Sequence, residues 1–222
     1  MRKHIMFDLD GTLTDPMIGI TKAVRYALDH YGIKVKDLRD LIPFIGPPLT
    51  ESFENYYGFS REQAIEAVEI YREYFAPTGI FENEIYPGIP EMLARLKAAG
   101  ASLYVATSKP QVFAEQILDH FDIREPFTYV CGSELNGARV KKADVIRFIL
   151  DKYRIEPEDA VMAGDRHHDI DGAAACGVMS LGVLFGYGSR EELESAGAGH
   201  IVATVEEMED YLLGLLTGGA AM

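Results

Sequence analysis

In the stretch Ile5-Met6-Phe7-Asp8-Leu9-Asp10-Gly11-Thr12-Leu13-Thr14-Asp15, a short apolar run stops abruptly at two carboxylates. Ile5 to Leu9 has the composition of a parallel strand buried on both faces. Its end delivers Asp8 and Asp10, and in extended backbone that spacing turns both side chains the same way. Gly11 permits a sharp exit from the strand, and Thr12 offers a hydroxyl. Two like charges so close cannot both ionise cheaply, so one of the two pKa values is expected to rise. A plain solvated turn would also use Asp-Gly-Thr. Buried like charge at a strand tip, however, needs a reason, and a metal ion or an anionic reaction centre supplies one.

Composition narrows the class. The chain has 222 residues, 48% of them hydrophobic and 25% charged, as in ordinary globular proteins. That length suits one core with an inserted subdomain better than two equal domains. The net charge of −14 argues against nucleic acid or an anionic membrane as partner, while leaving room for a local basic pocket. Cys131 and Cys176 are too few for a disulfide framework and suggest a reducing compartment. No apolar run approaches the roughly 18 residues of a spanning helix. Met1 to His4 leads straight into the strand and does not resemble a secretion signal, so a cytoplasmic location is expected. The tail 217–222 is rich in small residues and is expected to fray.

After Asp15 the pattern turns helical. Apolar residues at Ile20, Ala23, Val24, Ala27, Leu28 and Tyr31 predict a helix over 18–31, stopped by Gly32. Pro43, Gly46, Pro47 and Pro48 make 42–49 a constrained loop, and Thr50 is a candidate cap for a short helix over 50–57. Ser60 and Gln63 form a capping-box pattern ahead of a helix to Phe75. The aromatics of this region recur at helical spacing, as core residues of the insert would. From Tyr86 onward helices and strands alternate. Strands are predicted over 102–106, 129–131, 160–163 and 178–184, with helices over 90–99, 111–121, 142–153, 170–176 and 205–216. The expected architecture is therefore α/β: a mainly parallel, Rossmann-like three-layer core over 1–15 and 85–222, with an all-helical insert over 16–84.

Ligands of such sheets bind beyond the carboxyl ends of the strands, and those ends carry suitable groups. The strand over 102–106 runs into Thr107-Ser108-Lys109-Pro110, where a hydroxyl and free N–H groups suit a phosphoryl oxygen. Lys141 and Lys142 open a helix whose dipole a cation opposes, so one of them needs another justification. The strand over 160–163 ends in Gly164-Asp165-Arg166-His167-His168-Asp169. A zinc site on His167 and His168 is disfavoured, because adjacent histidines usually point apart and no partner sits at ligand spacing. Arg166 is expected to pair locally. Both cysteines read as structural thiols, without a basic activator nearby.

DLDGTLTD, with the three strand ends just described, resembles the four motifs of the haloacid dehalogenase-like (HAD) phosphatases. The resemblance implies that Asp8 is a nucleophile and Asp10 a general acid/base. It implies that Thr107, with Ser108, and the motif lysine hold the phosphoryl group. That lysine is either Lys141 or Lys142, and the residues that follow favour Lys142. The resemblance also implies Mg²⁺ held by Asp8, the carbonyl of Asp10 and Asp165, with Asp169 bonded on or just behind the metal. Asp at position 10 favours phosphate-ester chemistry over dehalogenation. The loop Gly46-Pro47-Pro48-Leu49 is similar to that of phosphoglycolate phosphatases, placing Gly46 against the substrate and making the insert a helical cap. Lys22 is the candidate cation for a small carboxylate. The expected substrate is thus a small phosphorylated metabolite. A 5′-nucleotidase or pyrophosphatase is the alternative, and a phosphosugar mutase fits less well because residues 45–52 contain no Arg or Lys. A non-catalytic relative would have lost a motif, and none is missing.

Overall fold

The computed structural model describes residues 2–218; the tail expected to fray lies, from 219 onward, outside the described residues. The chain divides into two compact units, Met1–Thr14 with Ile85–Met222, and Asp15–Glu84.

The larger unit is built on a six-stranded sheet. Its strands are β1 (His4–Phe7), β4 (Ser102–Pro110), β5 (Phe127–Ser133), β6 (Ala160–Gly164), β7 (Met179–Val183) and β8 (His200–Val202). The short strands β2 (Thr14–Asp15) and β3 (Glu84–Ile85) form a separate two-stranded sheet where the chain passes between the units. The order in the main sheet is β5-β4-β1-β6-β7-β8, and every pairing is parallel. From β1 the chain first winds outward through β4 and β5, then returns to β6 on the other side of β1. That reversal opens a crevice at the carboxyl end of β1.

Burial explains why β1 is central. Ile5, Met6 and Phe7 are wholly buried. Met6 packs with Tyr104 and Met162 against Val145, Ile146 and Ile149 of α6 (Lys142–Tyr153) and Ala173 of α7 (His167–Ala175). Phe7 alternates to the opposite face and meets the edge of Phe127. The remaining helices of this unit are α4 (Ile89–Ala98), α5 (Gln111–His120), α8 (Arg190–Ser195) and α9 (Val205–Thr217).

The unit Asp15–Glu84 holds α1 (Met17–His30), α2 (Leu49–Tyr57) and α3 (Arg61–Phe75). The capping box at Ser60 is present, with Gln63 N–H donating to the Ser60 hydroxyl at 3.2 Å and the Gln63 side chain accepting from Ser60 N–H at 3.0 Å. Ala23, Val24 and Ala27 of α1 and Ala64, Ala67 and Val68 of α3 are buried with Phe44, Phe53, Tyr71 and Phe75.

Several local expectations change. Part of the expected loop is a 3₁₀ helix, Leu38–Phe44, where the Asp37 side chain accepts the Arg39 amide as a cap. Helix α2 starts one residue before Thr50 with Pro48 as its cap residue, so Thr50 lies inside the first turn. Tyr26, Tyr56 and Phe81 are about half exposed and do not join the core of the insert. Strand β8 and helix α8 are too short for periodicity to announce, at three and six residues. Most consequential, β4 runs on through Thr107 to Pro110, but with a bulge. Ala106 faces Cys131 and Pro110 faces Ser133, so four steps on β4 match two on β5. A bulge beside a strand end re-aims the side chains it carries.

Candidate active site

Beyond β1 the backbone does not stay extended. The Asp8 amide continues the ladder to the Ala163 carbonyl at 2.9 Å, and the chain then curls so that the amides of Thr12, Leu13 and Thr14 all reach the Leu9 carbonyl. Asp8 and Asp10 leave the strand just before this curl and pair with different cations. Each has its own lysine. Lys142 Nζ lies 2.8 Å from Asp8 Oδ1, and Lys109 Nζ lies 2.8 Å from Asp10 Oδ2.

Gly11 makes the curl possible. Its φ is +82°, and a Cβ there would come 2.2 Å from Asp165 Oδ2, so no side chain is tolerated on either ground. Asp165 leaves the end of β6 fully buried. Its Oδ2 accepts the Tyr187 amide at 2.8 Å, while Oδ1 is buried with no hydrogen-bond partner among the described residues.

The two lysines are placed differently. Lys141 is an exposed cap residue, whereas Lys142 is buried in the first turn of α6. Its ammonium has three acceptors at 2.8 Å: Asp8 Oδ1, Asp169 Oδ1 and the Ala106 carbonyl. Two ion pairs and one hydrogen bond give this ammonium the justification that the unfavourable helix dipole demanded. Desolvation disfavours this ammonium, but Asp169 and Asp8 outweigh it and hold its pKa above the ordinary lysine value. Asp169 is occupied on both oxygens, since Oδ2 accepts the Arg166 amide at 3.1 Å.

Asp8, Asp165 and Asp169 bring carboxylate oxygens within 4.8 Å of one another. Burial first, then repulsion by Asp169 and Asp8, raises the Asp165 pKa well above the usual carboxylate value. The Asp10 pKa is also raised, chiefly by burial; Lys109 opposes the rise and Asp8 adds a smaller push. The expectation of a raised pKa stands, but its main cause is desolvation rather than the neighbouring carboxylate.

Asp8, Asp165 and Asp169 are three buried carboxyl groups around one ammonium group, Lys142, an acidic excess that a divalent cation would offset. The unpartnered Asp165 Oδ1, beside Asp8, fits an all-oxygen hard-ion site. Asp169 fits a supporting place better, because both of its oxygens already accept hydrogen bonds or ion pairs.

The other predicted residues are placed as follows. Thr107 is buried at the β4 bulge, its hydroxyl accepting the Lys109 amide at 3.2 Å. Ser108 follows it, its carbonyl accepting from the Ser133 hydroxyl at 2.8 Å. Gly46 and Lys22 belong to the unit Asp15–Glu84. Lys22 is ion-paired with Glu82 at 2.5 Å, and Glu82 also accepts from the Tyr74 hydroxyl. Arg166 pairs with Glu192, as a local partner was expected. The rings of His167 and His168 lie 3.8 Å apart rather than pointing away, because both open the first turn of α7. His167 pairs with Asp171, and burial, with His167 beside it, lowers the His168 pKa to about 4, so that ring is neutral. Among the described residues the metal-competent cluster contains no histidine. Cys131 is buried and Cys176 half-buried, and burial raises both thiol pKa values, that of Cys131 to about 11.

Two features have no motif behind them. Lys109 lies between the expected phosphate binder and a proline, and only the bulge turns it toward Asp10. The loop Phe185-Gly186-Tyr187 follows β7 and lies directly on Asp165. A Cβ at Gly186 would fall 2.4 Å from Asp165 Cβ and 2.3 Å from the Gly11 carbonyl. The glycine between two aromatics was the available hint of a close backbone approach.

A doubly wound parallel sheet that gathers carboxylates and lysines at its central strand tips has the build of an α/β enzyme. The chain belongs to the haloacid dehalogenase-like hydrolases, whose sequence model matches residues 5–183. It is 47% identical, over 94% of its length and 95% of the relative's, to a protein of Pseudomonas aeruginosa named 5′-nucleotidase. It is 39% identical, over 94% of its length and 72% of the relative's, to one of Mycobacterium tuberculosis named tyrosine-protein kinase PtkA. A phosphoglycolate phosphatase of Vibrio vulnificus is 27% identical over 95% and 96% of the two chains. Among solved structures, a predicted phosphatase from Clostridium acetobutylicum superposes with a TM-score of 0.94 at 47% identity, covering 96% of this chain and 99% of that one. Among the described residues no helix is long and apolar enough to cross a membrane.

Proposed function

We propose that the protein is a Mg²⁺-dependent phosphatase that hydrolyses a small phosphate monoester through an aspartyl-phosphate on Asp8. The observation that supports this most is that the two carboxylates are paired with different lysines. Asp8 is ion-paired with Lys142 beside Asp165 and Asp169, while Asp10 is ion-paired with Lys109.

An Asp8 oxygen forms the bond to phosphorus as the bond to the substrate's ester oxygen breaks. Asp10 gives its proton to that leaving oxygen. As carboxylate, it then takes a proton from the water that attacks the aspartyl-phosphate, and inorganic phosphate is released. Lys142, with the Thr107 hydroxyl and nearby amides, offsets charge on the remaining phosphoryl oxygens. Asp8, Asp165 and the Asp10 carbonyl would hold Mg²⁺, which when bound supplies Lewis-acid stabilisation of those oxygens. The unit Asp15–Glu84 serves as the cap, with Gly46 in its substrate loop.

Nucleoside 5′-monophosphates take precedence over phosphoglycolate as substrates. The 5′-nucleotidase relative is far more similar than the phosphoglycolate phosphatase, and Lys22, the cation meant for a carboxylate, is already bound to Glu82. The net charge of −14 supports a small metabolite over nucleic acid, and the two free cysteines suit a cytoplasmic setting. A Mg²⁺-dependent assay of phosphate release from nucleoside monophosphates, phosphoglycolate, pyrophosphate and sugar phosphates tests the reading. Turnover highest on a nucleotide supports it, and no release from any of them overturns it.

The metal site makes two further predictions. Saturating Mg²⁺, at about a hundred times its Kd, is expected to raise Tm by roughly 5–10 °C. Without the ion, the raised Asp165 pKa means that the folded chain binds a proton at higher pH than the unfolded chain. The cost of ionising the cluster is therefore present above that raised value and is relieved as pH falls through it. The Mg²⁺ effect on Tm should fade over the same interval, measured by melts with and without the ion. Gly186→Ala should push the Tyr187 amide off Asp165 and weaken Mg²⁺ binding about 10–100-fold by isothermal titration calorimetry.

A further inference from the structure

We propose that Lys109 is a positioning residue for Asp10, fixing one of its oxygens so that the other is presented to the leaving group and then to the hydrolytic water. This rests on the phosphatase reading above. The pair is nearly closed to solvent, with side chains 6% and 10% exposed and Nζ 2.8 Å from Oδ2. Asp10 Oδ1 is buried and has no hydrogen-bond partner among the described residues, so Lys109 holds one oxygen and the second is left for chemistry.

The backbone is arranged to deliver Lys109. Between Ala106 and Pro110 strand β4 leaves register with β5, and Lys109 occupies that bulge. The bulge is tied down at three points. Lys142 donates to the Ala106 carbonyl, the Lys109 amide donates to the Thr107 hydroxyl, and the Ser133 hydroxyl donates to the Ser108 carbonyl. The two buried lysines therefore divide the labour. Lys142 spans Asp8 and Asp169, and Lys109 is ion-paired with the Asp10 side chain. A carboxylate that must face first an ester oxygen and then a water at the same place gains from a fixed rotamer.

The consequence separates the two half-reactions. p-Nitrophenolate leaves without needing a proton, whereas the alkoxide of glycerol 2-phosphate does need one. Hydrolysis of the aspartyl-phosphate needs Asp10 in either case. With p-nitrophenyl phosphate and Mg²⁺ in rapid-mixing experiments, Lys109→Met is expected to release a burst of about one p-nitrophenolate per active site. A steady state about 100-fold slower than wild type should follow, with phosphoenzyme accumulating. With glycerol 2-phosphate the same variant should show no burst. Lys109→Arg, which keeps a cation with different reach, should recover part of the steady-state rate. Mg²⁺ binding should be unchanged by calorimetry. Equal slowing on both substrates with no burst overturns the assignment. So does a raised KM with kcat intact, which would make Lys109 a substrate binder. Turnover by an Asp8→Asn variant would instead overturn the phosphatase reading and this inference with it.

Discussion

Asp8→Asn is expected to abolish turnover, by roughly 10⁴-fold or more, while the protein folds and melts at the wild-type temperature or above it. The amide is nearly the same size as the carboxylate but cannot attack phosphorus. It also removes one negative charge from a buried cluster with an acidic excess. Lys142 keeps two acceptors, Asp169 and the Ala106 carbonyl, so the first turn of α6 stays anchored. The checks are steady-state phosphate release, phosphoenzyme trapping and a thermal melt on one preparation. Wild-type rates would remove Asp8 as nucleophile. A large fall in Tm would mean that the Asp8–Lys142 ion pair contributes more to the fold than the charge excess implies.

Lys142→Met should do more damage to stability than any other single change at the centre. It leaves Asp8 and Asp169 facing each other without their shared cation and takes the donor from the Ala106 carbonyl. Stranding buried charge in this way costs about 3–5 kcal/mol. In a chain of this size the corresponding fall in Tm is roughly 10 °C. Activity should fall by about 10³-fold or more, since one of the donors facing the phosphoryl oxygens is gone. Lys142→Arg should not restore it, because a planar guanidinium cannot take the place of an ammonium among three acceptors. Thermal melts of both variants and their phosphate-release rates decide the matter. An unaltered Tm would show that Asp8 and Asp169 do not depend on Lys142.

Much of the fold was legible because burial and periodicity are local properties. Ile5 to Phe7 announces a strand covered on both faces, and the run of 3.6-residue patterns between Met17 and Phe75 announces helices. The motif residues were legible because they sit at strand ends, where chain order alone predicts convergence. Less legible were features set by register. The β4 bulge has no composition signal, since Thr-Ser-Lys-Pro reads equally well as a helix start. Strand β8 is held at the sheet edge by pairing with β7 rather than by its own three residues.

The sequence alone determined a parallel α/β core, the carboxylates at the ends of its strands and a lysine before α6. Apolar patterning and motif order carry that information along the chain. The pairing of those charges belonged to the tertiary structure. Lys142 meets Asp8 across 134 residues, Lys109 meets Asp10 across 99, and Tyr187 meets Asp165 across 22. Lys22, chosen from sequence for a ligand, is bound instead by Glu82, 60 residues away. A buried charge takes the counter-charge that packing brings within hydrogen-bond distance, and separation along the chain does not measure that distance.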